Sequence, residues 1–332
     1  MAVTDNITVN LSIILNKATE SSIEIMKYKD LKWISLTILL GIIFLNIVVV
    51  VLLISRKPKS RMRLFVANLA IADLCVGIFF VLPETLFNWF DIPWNRHVCY
   101  IFYVYFSMVP FYASTYAIVV LSIDRTYVIL RPFASASKGK QYRYGMALSA
   151  WVIGCILAIP YGVFGEYSEE DIYCLHVAPI LIMLYMDLCT IIIIPLIIIC
   201  VCYIIVIIKI RGRERDEFIL DKNKDSDNDC DIELKHKAAT KAKIRTIKLL
   251  CVVVFAYIIC WSPITIAAIV LHYRLAEYGL WFMVLYLLAP LNSLANPLVF
   301  LIFNQKMFRR KKKKGFSRTT FNTDTQRVTL CS

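Results

Sequence analysis

Seven long, largely apolar stretches dominate this chain, at about 31–54, 62–87, 99–128, 144–164, 179–208, 247–271 and 278–303. A hydrocarbon core of about 30 Å takes roughly 20 helical residues to cross, and each stretch is long enough. Lipid offers backbone N–H and C=O groups no partner, so each must be a helix that satisfies its own bonds. Hydrophobic residues make up 59% of the 332, above the roughly 45–50% usual for soluble domains. The expected fold is therefore an all-α membrane protein, a seven-transmembrane helix bundle over residues 31–303. Residues 1–30 are polar and lack the apolar core of a signal peptide, so the first span is expected to serve as its own anchor.

Lysine and arginine in the short loops set the orientation. Arg56, Lys57, Lys59, Arg61 and Arg63 join the first two spans, and Arg125, Arg131, Lys138, Lys140 and Arg143 follow the third. Arg309 and Arg310 with Lys311–Lys314 follow the seventh, whereas the loop after the fourth is acidic, with Glu166, Glu169, Glu170 and Asp171. This predicts an extracellular N-terminal tail and a cytoplasmic C-terminus in the plasma membrane. The net charge of +13 is then explained by topology and by attraction to anionic lipids, without nucleic acid. Asn6 and Asn10 open glycosylation triplets on the outer side. Of 11 cysteines, only Cys99 and Cys174 fall on outer edges, where one disulfide is expected.

Polar residues within the spans converge on one depth. Asn46, Asp73, Ser114, Asn292 and Asn296 all fall about 10–17 Å from the cytoplasmic surface, near the midplane. Asp73 with Ser114, Asn292 and Ser293 could hold a sodium ion, an allosteric cofactor. The same cluster fits a purely hydrogen-bonded arrangement around a protonated Asp73. Prolines 83, 110, 160, 195, 263 and 297 lie within spans and permit kinks. Trp261 sits two residues before Pro263, placed either as a lever between the two sides or as a packed aromatic at a bend.

Several short motifs, in order, resemble those of rhodopsin-like (class A) G-protein-coupled receptors: Asn46, Leu69-Ala-Ile-Ala-Asp73-Leu74, Cys99, Asp124-Arg125-Thr126, Trp151, Pro195 with Tyr203, Cys260-Trp261-Ser-Pro263 and Asn296-Pro297-Leu-Val-Phe300. Ser60-Arg-Met-Arg-Leu-Phe, Tyr112-Ala-Ser-Thr-Tyr, Lys241-Ala-Lys-Ile-Arg-Thr-Ile-Lys and Leu291-Asn-Ser look like the vasopressin/oxytocin, neuropeptide S and crustacean cardioactive peptide receptor group. Gonadotropin-releasing-hormone and adipokinetic-hormone receptors are near relatives of that group. The resemblance implies that Asp124 holds Arg125 at rest and releases it toward a heterotrimeric G protein as the sixth helix swings outward. Trp261, Pro263, Asn296 and Pro297 then belong to the activation path, and Tyr203 supports the opened form. This chain departs from the family with Phe300 in place of Tyr, Tyr257 in place of Phe and Thr115 in place of a branched aliphatic residue. It also has one extra residue between Cys99 and Asp124.

The ligand pocket follows by exclusion and by charge. Retinal needs a lysine, and the seventh span has none before Lys306; amine receptors use an aspartate that 103–111 lacks. Tyr161 and Ala268 stand where vasopressin-type receptors usually have glutamine. The outer half instead offers Glu84 and Asp187, so a neuropeptide or peptide hormone of basic character is expected, contacting Glu84, Tyr103, Ser107, Asp187 and Trp261. A class A receptor for a non-peptide ligand is the alternative.

The cytoplasmic side is read as a third intracellular loop region over 209–246, with Lys241–Lys248 as a basic helical approach to the sixth span. Within it Asp221–Asp227 has the acidic spacing of a calcium loop, but Ser226 replaces the required Gly and Ile232 the required Glu, so a disordered linker is expected. Residues 304–332 are expected to form a short amphipathic eighth helix and a tail, where Ser317, Thr319 and Thr320 are candidate sites for receptor kinases and arrestin. A secondary transporter would need broken helices or paired charges along a path, and the spans hold few acids besides Asp73 and Asp187. An enzyme is not expected: His97, His176, His236 and His272 lie outside the spans or at their rims, with no His-Glu-x-x-His or Gly-x-Ser-x-Gly.

Overall fold

The computed structural model describes residues 30–55, 62–90, 92–164, 166–168, 173–175, 180–221, 230–277 and 279–303. The apolar stretches form α1 (Asp30–Ser55), α2 (Met62–Phe87), α3 (Phe102–Leu130), α4 (Lys140–Phe164), α5 (Ile182–Gly212) and α6, whose apolar part is Cys251–His272. The seventh, α7, is a pair, Leu280–Tyr286 and Leu291–Phe303, bent by 40°. Pro290 explains the bend, because it supplies no N–H to the helical ladder. Tight three-residue turns bridge the gap: Leu288 N–H to Leu285 O at 3.0 Å, Leu291 to Leu288 at 3.1 Å and Asn292 to Ala289 at 3.2 Å.

Central placement belongs to α3. Within its most apolar window 83% of residues are buried, against 28% in α4, α5 and α6. Every residue from 109 to 122 is buried. The other helices turn apolar side chains outward, among them Phe44, Leu148, Ile208, Phe255 and Ile302, each at least 60% exposed. So much outward apolar surface suits lipid and not water. Close approach of α4 to α3 depends on Gly154, where a Cβ would meet Val109 O at 2.8 Å and Ala113 N at 3.1 Å. Trp151 Nε1 donates to Asn68 Oδ1 at 3.0 Å and ties α4 to α2.

Departures from α-geometry carry structural meaning. Before the α-helical part of α3, Val98–Tyr105 is a π-helix. A π-turn takes up one more residue than an α-turn. Such a segment can accommodate the extra residue that the resemblance implies between Cys99 and Asp124, with an anchor at each end. One anchor is the Cys99–Cys174 disulfide, with Cα atoms 5.6 Å apart. It joins α3 to a two-stranded antiparallel hairpin of β1 (Glu166–Ser168) and β2 (Tyr173–Leu175), in which Tyr167 faces Cys174. Two further π segments, Gly77–Val81 and Glu84–Trp89, flank Pro83 in α2, and Leu188–Ile193 precedes Pro195 in α5.

The region read as a loop over 209–246 is shorter in the structure. The helix of α5 continues to Asp221, and α6 begins at Cys230 and runs 43 residues to His272. Charged Lys, Arg and Glu are good helix formers and no proline interrupts them, so the helices project beyond the apolar layer. Residues 222–229, which include most of the calcium-like spacing, lie outside the described residues, as do Asn6, Asn10 and everything after Phe303.

Candidate functional site

Polar side chains form three layers between the disulfide end of the bundle and the end bearing Asp124 and Arg125. At the disulfide end, Glu84 is 7% exposed and its Oε2 accepts from the Tyr103 hydroxyl at 2.6 Å. Aromatic rings surround this pair: Trp94 lies 4.7 Å from Tyr103 between centroids, and Phe80 packs against both Tyr103 and Tyr286. Ser107, fully buried, donates to the Tyr103 carbonyl. Asp187 belongs to a separate network. Its Oδ1 accepts from Tyr112 at 2.6 Å and its Oδ2 from Tyr161 at 2.5 Å, which joins α3, α4 and α5. The two acids expected to share a ligand therefore occupy different sides of α3. Tyr103 and Tyr112 are nine residues apart, about 13 Å along a helix axis.

Between the layers stands Trp261. Two apolar clusters fill the interior, and Trp261 packs against both. Phe111 meets it edge-on at 5.2 Å and Tyr257 lies 6.3 Å below. Its Nε1 is buried with no hydrogen-bond partner among the described residues.

The middle layer centres on Asp73, which is fully buried. Ser114 Oγ donates to Oδ1 at 2.7 Å and Asn296 Nδ2 to Oδ2 at 3.0 Å. Asn46 Nδ2 donates to Ile42 O and Ser293 O, each at 3.0 Å, so α1 and α7 are joined through the broken backbone near Pro297. Amide oxygens of Asn46, Asn292 and Asn296 are buried and lack partners among the described residues. A carboxylate amid uncommitted amide oxygens is a donor set suited to a hard cation. Beneath it a cavity of about 20 Å³, large enough for one water, is lined by Asn46, Asp73, Leu121, Val253, Asn296 and Phe300.

At the far end Arg125 NH2 lies 2.8 Å from Asp124 Oδ2, with Asp124 fully buried and Arg125 14% exposed. Tyr203 is half-buried and its hydroxyl has no partner among the described residues. Sequence reasoning missed Phe133, in the short helix Pro132–Ser137, which is 91% exposed beside this end. No large apolar side chain among the described residues is more exposed. The signal for it was its position, one residue past Pro132 after the Asp-Arg pair.

Comparison with known proteins accounts for this arrangement. Residues 46–300 match the family described as 7 transmembrane receptor (rhodopsin family). The mesotocin receptor of Rhinella marina is 29% identical over 305 residues, covering 83% of this chain and 75% of that one. The cephalotocin receptor 2 of Octopus vulgaris is 29% identical over 313 residues (86% and 72%), and the neuropeptide S receptor of Homo sapiens 31% identical over 295 (82% and 76%). With six membrane-length helices, a bent pair in the seventh place and the family's match over most of its length, the chain belongs to the rhodopsin family of seven-transmembrane receptors.

Proposed function

We propose that this receptor binds a neuropeptide or peptide hormone carrying at least one basic side chain, and that binding at the disulfide end activates a heterotrimeric G protein at the Arg125 end. Glu84 carries the reading: a carboxylate buried among aromatic rings, held by Tyr103 at 2.6 Å, is poised to accept a guanidinium or ammonium. Relatives named for mesotocin, cephalotocin and neuropeptide S support a peptide as the ligand class. Asp187 would form a second acidic contact on the other side of α3, so the ligand reaches both only with two separated groups. The disulfide end faces the extracellular medium at the plasma membrane, in keeping with basic loops beside α1 and α3.

Trp261 would carry the signal, because it alone among the proposed site residues packs against both apolar clusters. Its displacement moves α6 about Pro263, opens the cytoplasmic end and frees Arg125 from Asp124. Tyr203, with its uncommitted hydroxyl, then has a group to bond, and Phe133 docks on the G protein. Asp73, Ser114, Asn292 and Ser293 would hold a sodium ion, which supplies positive charge beside the buried carboxylate. A screen of basic peptides against cells expressing the receptor tests this, read by calcium and cyclic AMP together. Glu84→Lys and Asp187→Lys at normal surface expression should abolish the response to the active peptide; full activation by peptides without basic residues refutes the ligand class.

A further inference from the structure

Pro195 stands inside α5 and supplies no N–H. An α-helix would give that N–H to the Ile191 carbonyl, four residues back, and a π-turn would give it to Thr190, five back. The backbone just before Pro195 is π-helical, over Leu188–Ile193. Two tyrosines from neighbouring helices take these two carbonyls. Tyr116 of α3 donates to Thr190 O at 3.2 Å, and Tyr257 of α6 donates to Ile191 O. Both rings are buried, Tyr257 at 3% exposure and Tyr116 at 9%, so water does not replace either bond.

The two bonds are chemically alike and mechanically different. Tyr116 ties α5 to α3, the buried centre of the bundle. Tyr257 ties α5 to α6, one helical turn from Trp261 and six residues before Pro263. Thr115 Oγ1, 3.5 Å from the Tyr257 oxygen, keeps that hydroxyl in a polar niche that a phenylalanine could not use. In the same structure Arg125 is paired with Asp124.

We propose that the Tyr257 hydroxyl is a latch: by filling the carbonyl that Pro195 leaves open, it holds α6 against α5 while Arg125 stays paired, and it must let go when α6 swings. The inference rests on the receptor reading above. Two single-atom deletions test it, Tyr257→Phe and Tyr116→Phe, each compared with the full-length wild type at matched surface expression. Ligand-independent second-messenger output is read in cells, and the separation of spin labels on the Arg125 ends of α3 and α6 is read in purified receptor. Tyr257→Phe should raise basal output several-fold, up to about tenfold (about 1.4 kcal/mol), and lengthen the separation. Tyr116→Phe should lower the melting temperature and leave basal output unchanged. Wild-type output and separation in Tyr257→Phe, or an equal rise in Tyr116→Phe, overturns the latch. A lengthened separation in a receptor that stimulates no G protein would instead refute the coupling reading and leave the latch standing.

Discussion

Replacing Asp73 by asparagine separates two roles of the middle layer. The side chains are the same shape, so packing is preserved. The asparagine oxygen can still accept from Asn296, now at 3.0 Å from Oδ2, and Ser114, now a donor at 2.7 Å, can rotate its hydroxyl to accept from the new amide. Two charge-assisted bonds become two neutral ones, a loss of roughly 1 kcal/mol each at most. The ion is a different matter. A cation bound only to the folded receptor adds about 2.7 kcal/mol at a hundred times its dissociation constant. At roughly 2–4 °C per kcal/mol this is a shift of about 5–10 °C. Purified receptor should therefore melt several degrees higher in sodium chloride than in N-methylglucamine chloride of equal ionic strength. Asp73→Asn should melt at one temperature in both, up to several degrees below the wild type without sodium because its two bonds are neutral. A wild type indifferent to sodium, or an Asp73→Asn variant that keeps the full difference, would refute the assignment of Asp73 as the ion's carboxylate.

Gly154→Val should lose expression or melt several degrees lower, since its Cβ would lie 2.8 Å from Val109 O, which is backbone and cannot give way cheaply; thermal unfolding in detergent checks it. Phe300→Tyr adds one hydroxyl beside a cavity of about 20 Å³, so it should fold normally and increase the maximal response to agonist in a dose–response assay. Cys174→Ser opens a loop of 75 residues, which corresponds to about 4 kcal/mol, and should sharply reduce surface receptor by flow cytometry.

The spans were legible because lipid imposes length and apolarity, and α1 to α6 lie where the apolar stretches do. The Cys99–Cys174 bridge was legible from the positions of two cysteines. The joint in α7 was marked by Pro290, yet an unbroken apolar run hid it. Charge-rich ends of α5 and α6 read as loop because they are polar, although nothing in them breaks a helix. The depth argument brought Asp73, Ser114 and Asn296 together, and the structure joins them by hydrogen bonds. Three-dimensional pairing was not legible. Asp187 could be seen as an intramembrane acid, but not its clamps Tyr112 and Tyr161, which lie 75 and 26 residues away. Nor could Tyr257 be linked to Ile191, because that bond depends on which carbonyl Pro195 exposes and which helix passes it.

Transmission from the disulfide end to Arg125 is most directly tested with receptor purified into lipid nanodiscs together with G-protein heterotrimers. The rate of GDP release is measured with and without the peptide that activates cells. The peptide should accelerate release from at least one heterotrimer, and Arg125→Ala should abolish the acceleration while peptide binding survives. Unchanged release from every heterotrimer, with the peptide demonstrably bound, would contradict it.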